Sequence, residues 1–472
     1  MGLNIFNTLS RSVEPFTPLD PEGKKVGLYC CGPTVHDYAH IGNFRTFVFA
    51  DVVRRYLSFR GYKVRHVMNI TDVEDKIIRR VNESGKSLSE YTGEYEKAFF
   101  NDLEALGCLM PDDRPHATKF IGPIIKLIKK IEENGIAYRA GDGSVYFSIE
   151  KYQEAGHRYG QLLNLNLEQM RPGERVSSDE YEKDSVADFA LWKARVPEDG
   201  DVFWKSPWGE GRPGWHIECS AMSMELLGPS FDIHLGGEDL VFPHHEDEIA
   251  QSEGACLQCD GHKFVKYWMH GAHLLVEGKK MSKSLGNFFT LRDLLAKGFA
   301  GREVRYLMIS AYYRETFNFT LDNLAGAKNA LGRIDECTTK LRELALGLEG
   351  QPVDNSPLVT QFTEAMDEDL NVSAAWAAVF DWVRDTNRKL ASNELDATAA
   401  AAELANWEQI NNVLGIESVE EKAPAEILAL VEERQTARKA KDFARSDQIR
   451  DELAAKGWGI EDTPKGPRVK RG

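Results

Sequence analysis

The segment from Lys24 to Val73 constrains the fold more than any other part of the chain. An apolar run from Val26 to Cys31 leads into a turn at Gly32-Pro33. An amphipathic stretch from Ile41 to Phe59 follows, then Gly61 and a second apolar run from Val64 to Ile70. Short apolar runs on either side of a stretch with helical period predict strand, helix, strand. Strands joined through a helical crossover lie parallel in one sheet, so the expected class is α/β.

At 472 residues the chain is long for a single core, and about three domains of on the order of 150 residues each are expected. The sheet pattern breaks off after residue 84, and 85–205 reads as an insertion. Within it a helix is predicted from Pro123 to Asn134, closed by Gly135, and a hairpin in which Gly141-Asp142-Gly143 joins Ala137–Ala140 to Ser144–Ile149. Strand-like signals return at Gly214–Ser220, Phe231–Leu235 and Phe264–Glu277 and are expected to complete the sheet. From Arg292 onward the sequence reads as helix almost without a break. The expected divisions are 1–84 with 206–291, an insertion at 85–205, a helical bundle at 292–425 and a small module at 426–472.

A formal net charge of −16 excludes a uniformly basic coat for nucleic acid. The positive charge is concentrated at the end. Leu390–Glu433 holds ten acidic residues against the single Lys422, whereas Arg434–Gly472 holds eleven Lys and Arg against six acidic residues. No run approaches the roughly 18 apolar residues of a membrane span, and Met1–Asp20 lacks the layout of a secretory signal, so a cytoplasmic protein with no membrane partner is expected. Seven scattered cysteines suit thiols in a reducing compartment better than a disulfide framework. Cys256 and Cys259 form a CxxC without a partner pair, which reads as an ordinary loop.

Two short motifs carry chemistry. His40-Ile41-Gly42-Asn43 opens the first predicted helix, where unpaired N–H groups favour an anion, Gly42 permits close approach, and His40 and Asn43 can donate to phosphate oxygens. Alone, His40 reads equally as a surface-loop histidine. Lys280-Met281-Ser282-Lys283-Ser284 offers two cations in a small-residue loop able to neutralise a polyphosphate, or simply a solvated loop. The two in this order, separated by an insertion, resemble the class I aminoacyl-tRNA synthetases.

The surrounding segments narrow the resemblance. Leu28–Gly42, Asn69–Lys76, Gly211–Met222, Phe231–Glu248, Lys280–Phe288 and Ala437–Pro464 are similar to the cysteinyl-tRNA synthetase family. The resemblance implies a Rossmann-like catalytic domain, a helical bundle and an anticodon-binding module. It implies activation of L-cysteine with ATP and Mg2+, transfer to the terminal adenosine of tRNA(Cys), and one Zn2+ held by Cys31, Cys219, His244 and Glu248. Spacing alone does not reveal that site: Cys31 and Cys219 read as buried structural thiols, and only His244 and Glu248, four apart behind Pro243, are expected on one helix face.

The resemblance further assigns Cys31, Thr71, Trp215 and His234 to the cysteine pocket. His40, Gly42, Asn43, Gly236, Gly237, Asp239, Lys280 and Lys283 fall to ATP, with His40, Asn43, Lys280 and Lys283 catalytic. Each has a bland reading beside it: Trp215 as core, Thr71 as a strand-end hydroxyl, the glycines as a turn. His245 and Glu246 are either outer partners of the metal or solvent-facing. Arg438, Asp447 and Asp462 match positions that read anticodon bases, and Phe443 and Trp458 offer stacking faces. The family signature usually ends in a second histidine where this chain has Asn43, which cannot become cationic. A thiolate–metal bond that serine and alanine cannot make dispenses with editing, so the insertion is not expected to edit. A monomer is expected. The alternative is a cysteine ligase with an amino-sugar acceptor, and a non-catalytic zinc- or RNA-binding paralogue is the more distant one.

Overall fold

The computed structural model describes residues 2–163, 188–256, 263–281, 285–417, 424–463 and 466–471. The chain divides into two compact units, Met1–Ile416 and Glu417–Gly472. The division falls ahead of the expected 425/426 boundary. Helix Ala425–Lys439 belongs to the second unit because Ile427 and Val431 share a small core with Ile449, Leu453 and Trp458.

The first unit is built on a four-stranded parallel sheet in the order Val265–Gly271, Phe231–Gly237, Lys25–Cys30, Lys63–Met68. The Lys25–Cys30 strand pairs on both sides, Leu28 opposite Ile233 and His66. Its near-continuous burial is what a strand covered on both faces requires. The crossover helix spans Ile41–Phe59, as its periodicity predicts. Beyond the strand, Gly32 passes so close to the opposite loop that a Cβ would fall 1.7 Å from the carbonyl oxygen of Asn69. The Asn69 side chain accepts from the Gly32 N–H at 2.8 Å.

Helix Asp75–Ser84 precedes the insertion, which contains helices Leu88–Ala105 and Ile121–Glu133 and most of a five-stranded antiparallel sheet ordered Ala137–Arg139, Val145–Phe147, Phe189–Ala194, Gly209–Pro213, Trp204–Ser206. The predicted hairpin is its first pair. This sheet continues past residue 205 to Pro213, so a division at 205/206 cuts through it. The strand expected at Gly214–Ser220 is instead a helix, Trp215–Leu227. All seven residues from Ile217 to Ser223 are buried, Glu218, Ser220 and Ser223 among them, so the segment shows no helical period of apolar residues by which sequence could separate it from a strand.

After Arg292 the first unit is mainly helical, with long helices at Leu321–Ala345, Val372–Ala391 and Ala397–Leu414. Two strand elements interrupt the expected run of helices: Phe317–Phe319, parallel to Leu274–Val276, and the terminal hairpin Trp458–Thr463 with Gly466–Arg471. Arg305 ties this region to the sheet. Fully buried, it donates to Leu414 O at 2.6 Å, Asp51 Oδ2 at 2.6 Å and Leu106 O at 3.3 Å, and so joins bundle, crossover helix and insertion. Replacing Asp51 by alanine leaves a buried guanidinium without its counter-ion, a loss of about 3–5 kcal/mol. A melting curve of Asp51→Ala should show a clear drop in Tm, and an unchanged Tm contradicts this account of the junction.

Candidate active site and metal centre

The chain leaves the Lys25–Cys30 strand for its neighbour on one side, Lys63–Met68, and returns on the other side as Phe231–Gly237. The strand order therefore reverses between Lys25–Cys30 and Phe231–Gly237. At such a reversal the loops beyond the carboxyl ends diverge and leave a crevice. Cys31 follows one of these strands directly, and Gly236, Gly237 and Asp239 close and follow the other. Asp239 is exposed and folds back over Gly237, where a Cβ would fall 2.3 Å from its Oδ1.

His40 is the N-cap of the crossover helix. Its Nδ1 accepts from the Asn43 N–H at 3.3 Å, and Asn43 Oδ1 accepts from the His40 N–H at 3.2 Å, a reciprocal cap. Asn43 thus has a structural task. Burial lowers the pKa of His40 against the opposing charge of Asp239, so the neutral ring, with Nδ1 accepting, carries its proton on Nε2. The second motif lies alongside. Ile41 N–H donates to Phe289 O at 3.0 Å, and a Cβ on Gly42 would come within 2.7 Å of Met281 Cε. Lys280 is exposed on the strand Lys279–Lys280. Ser282, Lys283 and Ser284 lie outside the described residues, as does Cys259.

Cys31, Cys219, His244 and Glu248 are all buried, with ligand atoms within 4.8 Å of one another. Cys219 comes from helix Trp215–Leu227. His244 comes from the tight turn Val241–His245, and Glu248 from the first turn of helix Glu246–Gly254. Phe242 is extended ahead of Pro243, so the helical path that brings His244 and Glu248 together starts at Pro243. His244 Nε2 lies 3.1 Å from Glu248 Oε1, and the two sulfurs are 3.9 Å apart. The electrostatics are those of crowded anionic donors. Burial raises Cys31, as do the neighbouring Cys219 and Glu248, while a hydrogen bond from Cys31 lowers Cys219. Burial alone would raise Glu248, but His234 and His244 hold it well below the ordinary carboxylate range. Two sulfurs, an imidazole and a carboxylate gathered in the interior, with ionisation of Cys31 opposed by Cys219 and Glu248, fit a cation at their centre.

Thr71 is buried at a strand end and accepts from Asn69 Nδ2 at 3.1 Å. Trp215 is 37% exposed, at odds with a core role, and its ring centroid lies 4.4 Å from that of His244. His234 is fully buried, stacked on Trp268, with Nε2 3.0 Å from Glu248 Oε2. Neither His245 nor Glu246 faces solvent. Glu246 accepts from three successive backbone N–H groups, Gly160, Gln161 and Leu162, at 2.7, 2.8 and 2.9 Å, and ties the insertion to the site. His216, which the sequence reading passed over, places Nδ1 2.8 Å from His244 Nδ1 and Nε2 3.4 Å from Asp247 Oδ2. Its place beside Trp215 in the helix that delivers Cys219 was the available signal.

In the second unit Asp462 receives a two-pronged pair from Arg434, at 2.8 and 3.0 Å, and a further ion pair from Arg438. Hydrogen bonds from Arg434, then Arg438, hold its pKa below the usual carboxylate range against burial. Asp447 is exposed beside Arg450. Trp458 is buried in the unit's core and offers no stacking face, whereas Phe443 is 62% exposed.

The family described as tRNA synthetases class I (C) catalytic domain matches residues 17–329, the DALR domain 361–418, and the Cysteinyl-tRNA ligase anticodon binding domain 420–468. Among curated proteins, the chain is 47% identical to Cysteine–tRNA ligase of Chlamydia muridarum, over 100% of both chains. It is 45% identical to that of Protochlamydia amoebophila, over 99% of this chain and 98% of the relative. Among solved structures, methionyl-tRNA synthetase of Mycobacterium tuberculosis bound by methionyl-adenylate superposes with TM-score 0.59 at 13% identity, covering 83% of this chain and 90% of that one. The LeuRS chain of an Agrobacterium radiobacter K84 ternary complex gives 0.60 at 12%, covering 85% of each, and these two likenesses speak to the fold alone. With a catalytic-domain match over more than half its length and relatives that align from end to end, the chain belongs to the cysteinyl-tRNA synthetase family of class I enzymes.

Proposed function

We propose that the chain activates L-cysteine with ATP to cysteinyl-adenylate and transfers the cysteinyl group to the 3′-terminal adenosine of tRNA(Cys). In this reading Zn2+ held by Cys31, Cys219, His244 and Glu248 selects the substrate. The observation that carries it is the convergence of those four buried donors beyond the carboxyl end of the strand that leads on to the His40 helix N-terminus. Bound zinc supplies a Lewis-acid position that accepts one further soft ligand, the thiolate of cysteine. Serine offers only a harder, weaker oxygen and alanine nothing. Cys31 and Thr71 at the strand ends, Trp215 beside His244, and His234 behind Glu248 border that position.

The chain's own groups work by positioning and charge. The cysteine carboxylate is already the nucleophile, so attack on the α-phosphorus needs no general base; one P–O bond forms as the bond to pyrophosphate breaks. His40 through Nε2–H, the N–H groups opening the helix at Ile41, Asn43 through its amide, Lys280 and Lys283 are assigned to the phosphates, with Mg2+ accompanying ATP. Gly42 admits the nucleotide, and Gly236, Gly237 and Asp239 take the nucleoside. Because Asn43 stays neutral, positive charge at the phosphates falls to the lysines and Mg2+. Arg438, Asp447 and Asp462 are assigned to the anticodon, where unpaired bases are read on their edges. The anticodon-binding match at 420–468 favours this reading over an amino-sugar ligase. No helix among the described residues is long and apolar enough to cross a membrane.

Two outcomes are expected. In ATP–pyrophosphate exchange, cysteine should be preferred over serine and alanine by roughly 10⁴-fold or more in kcat/KM, the level that a specific bond reaches without editing. Discrimination of only about 10²-fold contradicts selection through the sulfur. Cys219→Ser should lose both zinc, by elemental analysis, and cysteine activation. Unchanged metal content removes Cys219 from the ligand set.

A further inference from the structure

A chain of hydrogen bonds runs from the N-terminal segment into the metal cluster. Thr8 Oγ1 lies 2.8 Å from His270 Nδ1, His270 Nε2 lies 2.7 Å from His245 Nδ1, and His245 Nε2 lies 3.4 Å from Cys31 Sγ. Both imidazoles are buried, whereas Thr8 is half-buried at the outer end. Neither Thr8 nor His270 belongs to a sequence motif, yet the chain is held firmly at both ends. Thr8 N–H donates to Trp268 O at 2.9 Å. Its neighbour Asn7 accepts from Trp268 N–H at 3.0 Å and donates to Lys266 O at 3.0 Å, which docks the segment onto the edge of strand Val265–Gly271. His245 packs against the end of the adjoining strand, where a Cβ on Gly236 would fall 2.6 Å from its Cε1. Gly236 is therefore constrained by this ring as well as by any nucleotide.

We propose that Thr8 and His270 are positioning residues for the metal ligand Cys31, acting through His245; the inference rests on the metal reading of Cys31, Cys219, His244 and Glu248. The direction follows from counting protons. A neutral imidazole has one N–H and one acceptor nitrogen. Both rings are buried, and each has both nitrogens taken up within the chain, one as donor and the other as acceptor. A metal-bound Cys31 is a thiolate and can only accept. His245 must then donate from Nε2, accept at Nδ1 from His270 Nε2–H, and His270 must accept at Nδ1 from the Thr8 hydroxyl. With an acceptor-only thiolate at one end, one orientation of the whole chain satisfies every group, and the hydroxyl at position 8 completes it by donating to His270 Nδ1. The result is an N–H donated to the ligand sulfur, which fixes its lone-pair direction and draws off part of its charge. A second grouping, Cys31 with His234, His245 and Glu248, is also compact, but it has one sulfur instead of two and would use up the His245 nitrogen that donates.

The test uses the full chain, stripped of metal and reloaded with Co2+, whose thiolate-to-metal charge-transfer band reports the hydrogen bonding of the sulfur. Thr8→Val and His270→Phe remove the chain's donors. Thr8→Ser keeps the hydroxyl, and His270→Gln keeps an amide donor at the Nε2 position. The expected result is a band moved to longer wavelength and Co2+ affinity about 10-fold weaker in Thr8→Val and His270→Phe. Thr8→Ser and His270→Gln should stay close to wild type. Should His270→Phe fail to fold, the two Thr8 variants decide. The proposal is overturned if all variants match the wild-type band and affinity, or if Ser and Gln are as impaired as Val and Phe, which marks a packing role. A wild-type chain that takes up no Co2+ with thiolate ligation overturns the metal reading itself, and is told apart by needing no variant.

Discussion

Burying Cys31, Cys219 and Glu248 around one point is the constraint on which the active site turns. Each is an anion when ionised, each lies in the interior, and their donor atoms are close enough that ionising one opposes ionising the next. At Glu248, His234 and His244 more than offset the effect of burial. A cation at the centre would satisfy all of them and would give the cluster a preference for sulfur. Specificity for the amino acid and stability of the pocket then have the same origin.

The fold delivers those donors from separate stretches of chain. Cys31 ends the central strand, Cys219 rides on a helix that starts where the insertion's sheet ends at Pro213, and His244 and Glu248 follow the strand on the other side of the crevice. The insertion is thereby part of the site's frame. Its last strand sets where Cys219 stands, Glu246 caps the backbone of 160–162, and the Tyr159 hydroxyl donates to Asp247. The helix that opens at His40 follows the same strand as Cys31, so the first motif and the donor cluster are carried by one sheet.

How much of this was legible in the sequence depends on the range of the signal. The crossover unit was readable because short apolar runs flank a stretch of helical period between Val26 and Ile70, and His40 marks a helix start by local chemistry. Gly214–Ser220 reads as strand because the buried stretch Ile217–Ser223 of helix Trp215–Leu227 shows no helical period, and Trp458 reads as a stacking face because an aromatic in a basic segment gives no hint of what packs on it. Cys31 and Cys219 carry no mutual spacing signal; only family resemblance joins them. Arg434, which orients Asp462, and Thr8 and His270, which reach Cys31 through His245, are long-range pairings that no local pattern encodes.

The central claim is a bond from the sulfur of the incoming amino acid to a protein-held metal. X-ray absorption at the zinc edge measures it directly by counting sulfur neighbours. The account predicts two sulfurs per zinc in the free protein, three with L-cysteine bound and two with L-serine. A count that stays at two when cysteine binds would contradict it.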